Sequence, residues 1–158
     1  MFRIGIIGPE ASGKTTLARY LAKRYNGLFV PEMGRVFVEA KGSREISYDE
    51  LCLIAKQQLR EMDMIEREGA QSEGVVVFDT ELIVTKVWFD EAFGQVPEWL
   101  DEAILRHPMD VYLLTRPDLP WTQDGARYNG SDEKREELFA RYEEEIQRLD
   151  VDYYVITH

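Results

Sequence analysis

Cysteine is almost absent from this chain. Cys52 is the single one among 158 residues, so no internal disulfide can form, and a reducing, cytosolic location is expected. It sits in Leu51-Cys52-Leu53-Ile54 with no basic neighbour before Lys56, which reads as an inert core thiol. Basic residues are also in short supply: 19 Lys and Arg against 30 Asp and Glu give a net charge of −11. Such a surface is a poor match for a phosphate backbone, so no nucleic-acid partner is expected. One local cluster of donors can still hold a small phosphorylated ligand. No apolar run approaches the roughly 18 residues of a membrane span. The apolar N-terminal stretch lacks both a preceding basic region and a following cleavage pattern, so it does not read as a signal peptide. Repeats, low-complexity tracts and Gly/Ser linkers are missing as well. With 44% hydrophobic residues over 158 positions, the chain reads as one globular domain spanning 1–158, able to bury roughly 70% of its unfolded surface.

What is present alternates. Phe2 to Ile7 reads as a buried strand, and from Lys14 the positions Leu17, Ala18, Leu21, Ala22 and Tyr25 keep helical spacing until Asn26-Gly27. Leu28-Phe29-Val30 is a second short strand closed by Pro31. Ser47 and Glu50 form a capping box ahead of a long helix to about Glu68. Val75 to Phe78 is a third strand ending at Asp79, followed by a helix from about Glu81 to Phe93 and a shorter one after Pro97. Val111 to Leu114 is the fourth strand, 116–130 is irregular, Ser131 to about Arg148 is a charged helix, and Val151 to Ile156 is the fifth strand. Continuous apolar strands separated by helices predict an α/β fold, a parallel five-stranded sheet covered on both faces. Ligands in such sheets gather at the carboxyl ends of the strands. The polar residues there are Gly8 to Thr16, Glu32, Asp79 and Arg116.

Gly8-Pro9-Glu10-Ala11-Ser12-Gly13-Lys14-Thr15 matches the phosphate-loop pattern without a mismatch and lies between an apolar strand and a helix, as that motif requires. Backbone N–H groups from Gly8 through Glu10, Ala11, Ser12 and Gly13 to Thr16 can wrap a β-phosphate at the positive end of the helix. Lys14 reaches the β- and γ-phosphates of ATP and the Thr15 hydroxyl ligates Mg²⁺. Asp79 ends an apolar strand and reads as a second Mg²⁺ acid or as the cap of the next helix; both can hold. Glu32, after a strand and Pro31 and before Gly34-Arg35, is expected beside the phosphate loop, either as a proton acceptor for a substrate hydroxyl or as a solvated loop acid. Arg116, Arg127 and Arg135 flank or occupy the irregular segment, read as a lid of about 116–135, where arginines can neutralise a moving phosphoryl group. Arg135 reads as an ordinary surface residue. Trp121 reads as a lid anchor or a stacking face, and Trp88 carries the same ambiguity. The charges from Ser131 to Glu145 read as a solvated helix face.

Asn-Lys-X-Asp and His-Arg-Asp do not occur, which excludes an ordinary GTPase and a protein kinase. Motor and AAA-type ATPases usually need a longer chain with further sensor elements, so a small-molecule kinase is expected. The loop with its second threonine, Pro31-Glu32-Met33-Gly34-Arg35, Ile54-Ala55 with Gln58, Phe78-Asp79-Thr80 with Thr85, and Pro120-Trp121-Thr122-Gln123-Asp124-Gly125-Ala126-Arg127 follow in order. This series resembles the kinase domain of NadR-type NAD-biosynthesis proteins over nearly the whole chain. The resemblance implies a P-loop NTPase fold of the nucleoside/nucleotide-kinase type and ATP- and Mg²⁺-dependent phosphorylation of nicotinamide riboside. It places Glu32 and Asp79 at the reacting centre, and Arg35, Trp121, Asp124 and Arg127 at the substrate or lid. The histidines are His107 and His158 only, so the His-X-Gly-His adenylyltransferase signature of NadR-type proteins has no counterpart. Two rival readings stand beside it: a kinase for another nucleoside or nucleotide, and a nucleotide-binding regulatory ATPase module.

Overall fold

The computed structural model describes residues 1–9, 12–43, 45–69, 74–117 and 132–157. In chain order the elements are β1 (Phe2–Ile7), α1 (Lys14–Arg24), β2 (Leu28–Val30), α2 (Met33–Lys41), α3 (Tyr48–Gly69), β3 (Val75–Asp79), α4 (Leu82–Phe93), α5 (Glu98–Arg106), β4 (Val111–Thr115), α6 (Asp132–Arg148) and β5 (Tyr153–Ile156). The strands form one five-stranded sheet in the order β2-β3-β1-β4-β5, with every pairing parallel.

The alternation of side chains along β3 divides the core into two layers. Val75 and Val77 join Ile4, Ile6, Ala18 and Ala22 under α1. Val76 and Phe78 face the opposite layer, with Leu51 and Ile54 of α3, Leu82 and Phe89 of α4, Leu100 of α5 and Ile146 of α6. Gly5 of β1 turns to this second layer, where an added Cβ would lie 3.0 Å from the Tyr112 ring. The missing side chain therefore lets Tyr112 cross the central strand.

The capping box forms as read. The Glu50 amide donates to the Ser47 hydroxyl at 3.1 Å, and the Ser47 amide donates to the Glu50 carboxylate at 3.0 Å. Ser47→Ala is expected to lower stability by about 1 kcal/mol, measured as a shift in the urea midpoint at constant slope; an unmoved midpoint would remove the cap's contribution. At the other end of α3, the buried His107 has its ring nitrogens 3.2 Å from Asp63 and 3.1 Å from Glu66. Arg3 of β1 reaches the same Glu66 oxygen at 3.1 Å. Asp63, Glu66 and His107 are close enough together to hold a metal, but the Arg3 guanidinium already pairs with Glu66 there, so the cluster reads as a staple between β1, α3 and the end of α5.

Two expectations are corrected, and one helix is added: α2 occupies 33–41, a stretch to which the sequence pattern assigns no element. Its Gly34 and β-branched Val36 and Val38 are weak helix formers, and its stability comes from packing Met33 and Phe37 onto the core. Arg135 is not a surface arginine, because only 2% of it is exposed and it donates to Asp132 at 2.6 Å. The charged helix α6 is not solvated all round. Its buried Glu145 accepts from Lys86 at 2.9 Å, from Arg148 at 3.1 Å and from Arg141, so this carboxylate is paired from two helices. No helix among the described residues is long and apolar enough to cross a membrane.

Candidate functional site

The site is assembled where β1, β3 and β4 end side by side. Gly13 is the N-cap of α1, at φ 82° and ψ 15°, a left-handed conformation that favours glycine. No acidic residue lies in the first turn of α1, so the positive helix end, carrying Lys14, Thr15 and Thr16, is left to an anion. The Lys14 ammonium lies 3.4 Å from the Pro9 carbonyl. Glu10 and Ala11 fall outside the described residues.

Asp79 sits level with Ile6 on the neighbouring strand. Its Oδ2 accepts the Thr15 hydroxyl at 2.7 Å. Its Oδ1 is buried with no hydrogen-bond partner among the described residues, and only 2% of the residue is exposed. A buried carboxylate oxygen left without a donor is costly unless something else balances it. Together with the adjacent threonine oxygen it makes a hard, oxygen-only donor pair of the kind Mg²⁺ takes. Asp79 does not cap α4. That cap is Glu81, whose side chain accepts the Ile83 amide at 2.8 Å.

Between the two acids, Thr80 stands at φ 73°, a strained value for a β-branched residue. Its amide donates to the Ile6 carbonyl at 2.9 Å, which pins the turn to β1. In the sequence Thr80 stood out only within the Phe78-Asp79-Thr80 match and Glu81 only as a helix start, and neither signal marked the strain of the one or the burial of the other. Glu81 is 2% exposed, and burial pushes its carboxyl up to about 7, partly offset by the Ile83 and Leu82 amides. Tyr112, on the far side of β1, has its hydroxyl pushed up by burial and then by the Glu81 charge. A raised carboxyl binds its proton in the folded state while the unfolded chain has already released it. Stability therefore falls as pH rises from about 4.5 to about 7, by roughly 3 kcal/mol in total. Glu81→Gln should remove that decline. Urea titrations of wild type and variant at the two ends of the window would measure it, and parallel curves would refute it.

Glu32 is placed differently from the expectation. It stands after β2, and β3 lies between β2 and β1, so Asp79 is beside the phosphate loop and Glu32 is one strand further out. Glu32 is the N-cap of α2 without a capping bond from its side chain, and Arg35, one turn on, reaches its carboxylate at 3.7 Å. Gly34 packs under Trp88, where an added Cβ would be 2.9 Å from the ring. Trp88 is thus a half-buried packing residue that sets how close α2 approaches α4. Arg116 is exposed, with its guanidinium 4.7 Å from the Phe139 ring centroid. Trp121, Asp124 and Arg127, with most of the expected lid, lie outside the described residues. Cys52 is half-buried, and burial raises its thiol above the ordinary value, in keeping with an inert role.

Comparison with known proteins places this geometry. The model of an AAA domain family, AAA_28, matches residues 3–158. The trifunctional NAD biosynthesis/regulator protein NadR of Escherichia coli (strain K12) is 28% identical over 138 residues, 85% of this chain and 33% of its own. The NadR of Salmonella typhimurium is 28% identical over 136 residues. The chain therefore spans about a third of the length of these curated relatives. Among solved structures, NadR in complex with NR superposes with a TM-score of 0.80 at 26% identity, over 98% of this chain and 45% of that one. Thymidylate kinase from Ehrlichia chaffeensis shares the fold, with a TM-score of 0.69 at 17% identity over 99% of this chain and 86% of that one. The chain belongs to the AAA domain family AAA_28 and is a P-loop domain similar to part of NadR.

Proposed function

We propose that this domain is an ATP-dependent kinase that phosphorylates nicotinamide riboside to its mononucleotide. The observation that carries the reading is the Thr15–Asp79 contact of 2.7 Å beside the open helix end of α1, with a second carboxylate, Glu32, one strand further out. In this reading Gly8 to Thr16 hold the ATP phosphates, and Lys14 balances charge on the β- and γ-groups. Thr15 and Asp79 would hold Mg²⁺, which when bound neutralises charge on the phosphate oxygens. Glu32 stands on the acceptor side, accepts the proton of the acceptor hydroxyl and is oriented by Arg35. Arg127, with Arg116, neutralises the equatorial oxygens of the transferring group. Among the relatives, one NadR structure holds NAD and AMP-PNP and another holds NR, which supports a nucleotide and a pyridine nucleoside as the paired ligands. The acidity of the chain suits a cationic acceptor.

The test is product formation. Purified protein with ATP, Mg²⁺ and a panel of nucleosides should consume ATP fast only when nicotinamide riboside is added. A different productive nucleoside would keep the kinase and change the substrate. Slow hydrolysis that ignores every acceptor and responds to a protein partner would favour a regulatory ATPase instead.

Trp121 is assigned to the pyridinium ring and Asp124 to the ribose hydroxyls. A cation–π contact contributes roughly 0.5–2 kcal/mol, so Trp121→Ala should raise the acceptor KM by about two- to thirtyfold and leave the ATP KM near wild type. Steady-state kinetics in both substrates would check this. An unchanged acceptor KM with a lowered Tm would make Trp121 a packing residue.

A further inference from the structure

We propose that Thr115, the last residue of β4, is a positioning residue of the phosphate loop and acts through Ser12. The proposal rests on the nucleotide-binding reading above and adds a group that no phosphate-loop motif contains. The two hydroxyl oxygens are 2.6 Å apart, and both side chains are buried. The direction of the bond follows from proton count. The Ser12 oxygen also lies 2.6 Å from the Pro9 carbonyl, which can only accept, so the single Ser12 proton points there. Thr115 must then donate to Ser12; its other acceptor, the Ile7 carbonyl, is further away at 3.4 Å. The relay runs from β4 through Ser12 to the backbone of the loop.

Gly8 makes the relay possible. A Cβ at that position would lie 2.0 Å from the Thr115 hydroxyl and 2.8 Å from the Ser12 hydroxyl. The hydroxyl pair, with the Thr115 backbone carbonyl 2.8 Å from the same point, occupies the space a side chain at residue 8 would fill, so only glycine fits there. Each of the two residues is 1% exposed, so water does not readily replace a lost partner. Pro9 also receives the long contact from Lys14, at 3.4 Å. When Lys14 turns to a bound phosphate, Ser12 still donates to the Pro9 carbonyl, and Thr115 still satisfies Ser12. The loop is thus held from both neighbouring strands, through Asp79 and Thr15 on the β3 side and through Thr115 and Ser12 on the β4 side. The Arg116 amide fixes the end of β4 by donating to the Ile156 carbonyl of β5 at 2.9 Å.

Isothermal titration of Mg·AMP-PNP into wild type and variants at Thr115, Ser12 and Lys14 tests this. Thr115→Ala and Thr115→Ser lose the same methyl group, so their difference isolates the hydroxyl. Thr115→Ala should raise Kd by about fivefold or more, as loss of one buried hydrogen bond implies. Thr115→Ser should stay within about twofold of wild type by the same reasoning. Wild-type binding by Thr115→Ala, or equal weakening by both variants, would overturn the proposal. If Thr115→Ala does not fold, Ser12→Ala gives the same readout, with the same fivefold loss expected and unchanged binding overturning it. Lys14→Ala separates the two levels of inference. If it binds nucleotide like wild type, the phosphate-loop reading itself falls. If it loses nucleotide while Thr115→Ala does not, only the role of Thr115 falls.

Discussion

Lys14→Ala is expected to reduce ATP turnover by at least about 100-fold while the protein stays folded. Phosphoryl transfer depends chiefly on positioning and electrostatics, so losing a cation at the β- and γ-phosphates should cost roughly 3 kcal/mol or more of barrier. The fold should tolerate the change. Among the described residues the Lys14 ammonium makes one long contact, to the Pro9 carbonyl, and alanine is the best helix former at a position that opens α1. Turnover measured beside thermal unfolding would show both halves of the expectation. Unchanged turnover in a folded variant would remove the phosphate-loop reading altogether.

The second large effect separates the two carboxylates. Glu32→Gln should lower kcat by about 10²- to 10⁴-fold, the range of a general base, and leave the KM for ATP almost unchanged. Asp79→Asn should act on the other side of the reaction, because its Oδ2 bonds Thr15 and its Oδ1 is buried without a partner among the described residues. It should raise the Mg²⁺ concentration needed for half-maximal rate. A wild-type rate in Glu32→Gln would shift the base to Asp79, and activity in both variants would overturn the carboxylate mechanism. The intervening strand gives the expectation its physical basis, since Asp79 borders the phosphate loop and Glu32 does not.

Much of this was legible without coordinates. The loop from Gly8 to Thr16 is recognisable because its glycines, lysine and threonine answer to one ligand and lie next to one another in the chain. The apolar run ending in Asp79 and the capping box at Ser47 and Glu50 are local in the same sense, and both stand where they were read. Helix α2 was not legible, because Gly34, Val36 and Val38 weaken its intrinsic propensity and its stability comes from contacts with α3 and α4. Arg135 and Glu145 were hidden for a related reason. A charged stretch gives no sign of which residues turn inward until the buried partners are known.

By itself the sequence determined the fold class, the phosphate loop and the candidate acids, because strand alternation, helix periodicity and motif spacing act over a few residues. Tertiary structure alone decided which strands are neighbours. That order puts Asp79 against Thr15, moves Glu32 one strand outward, and brings Thr115 to Ser12 across 103 positions of chain. No local pattern encodes such contacts. Strand order is settled by how two differently covered faces of one sheet bury their apolar surface together.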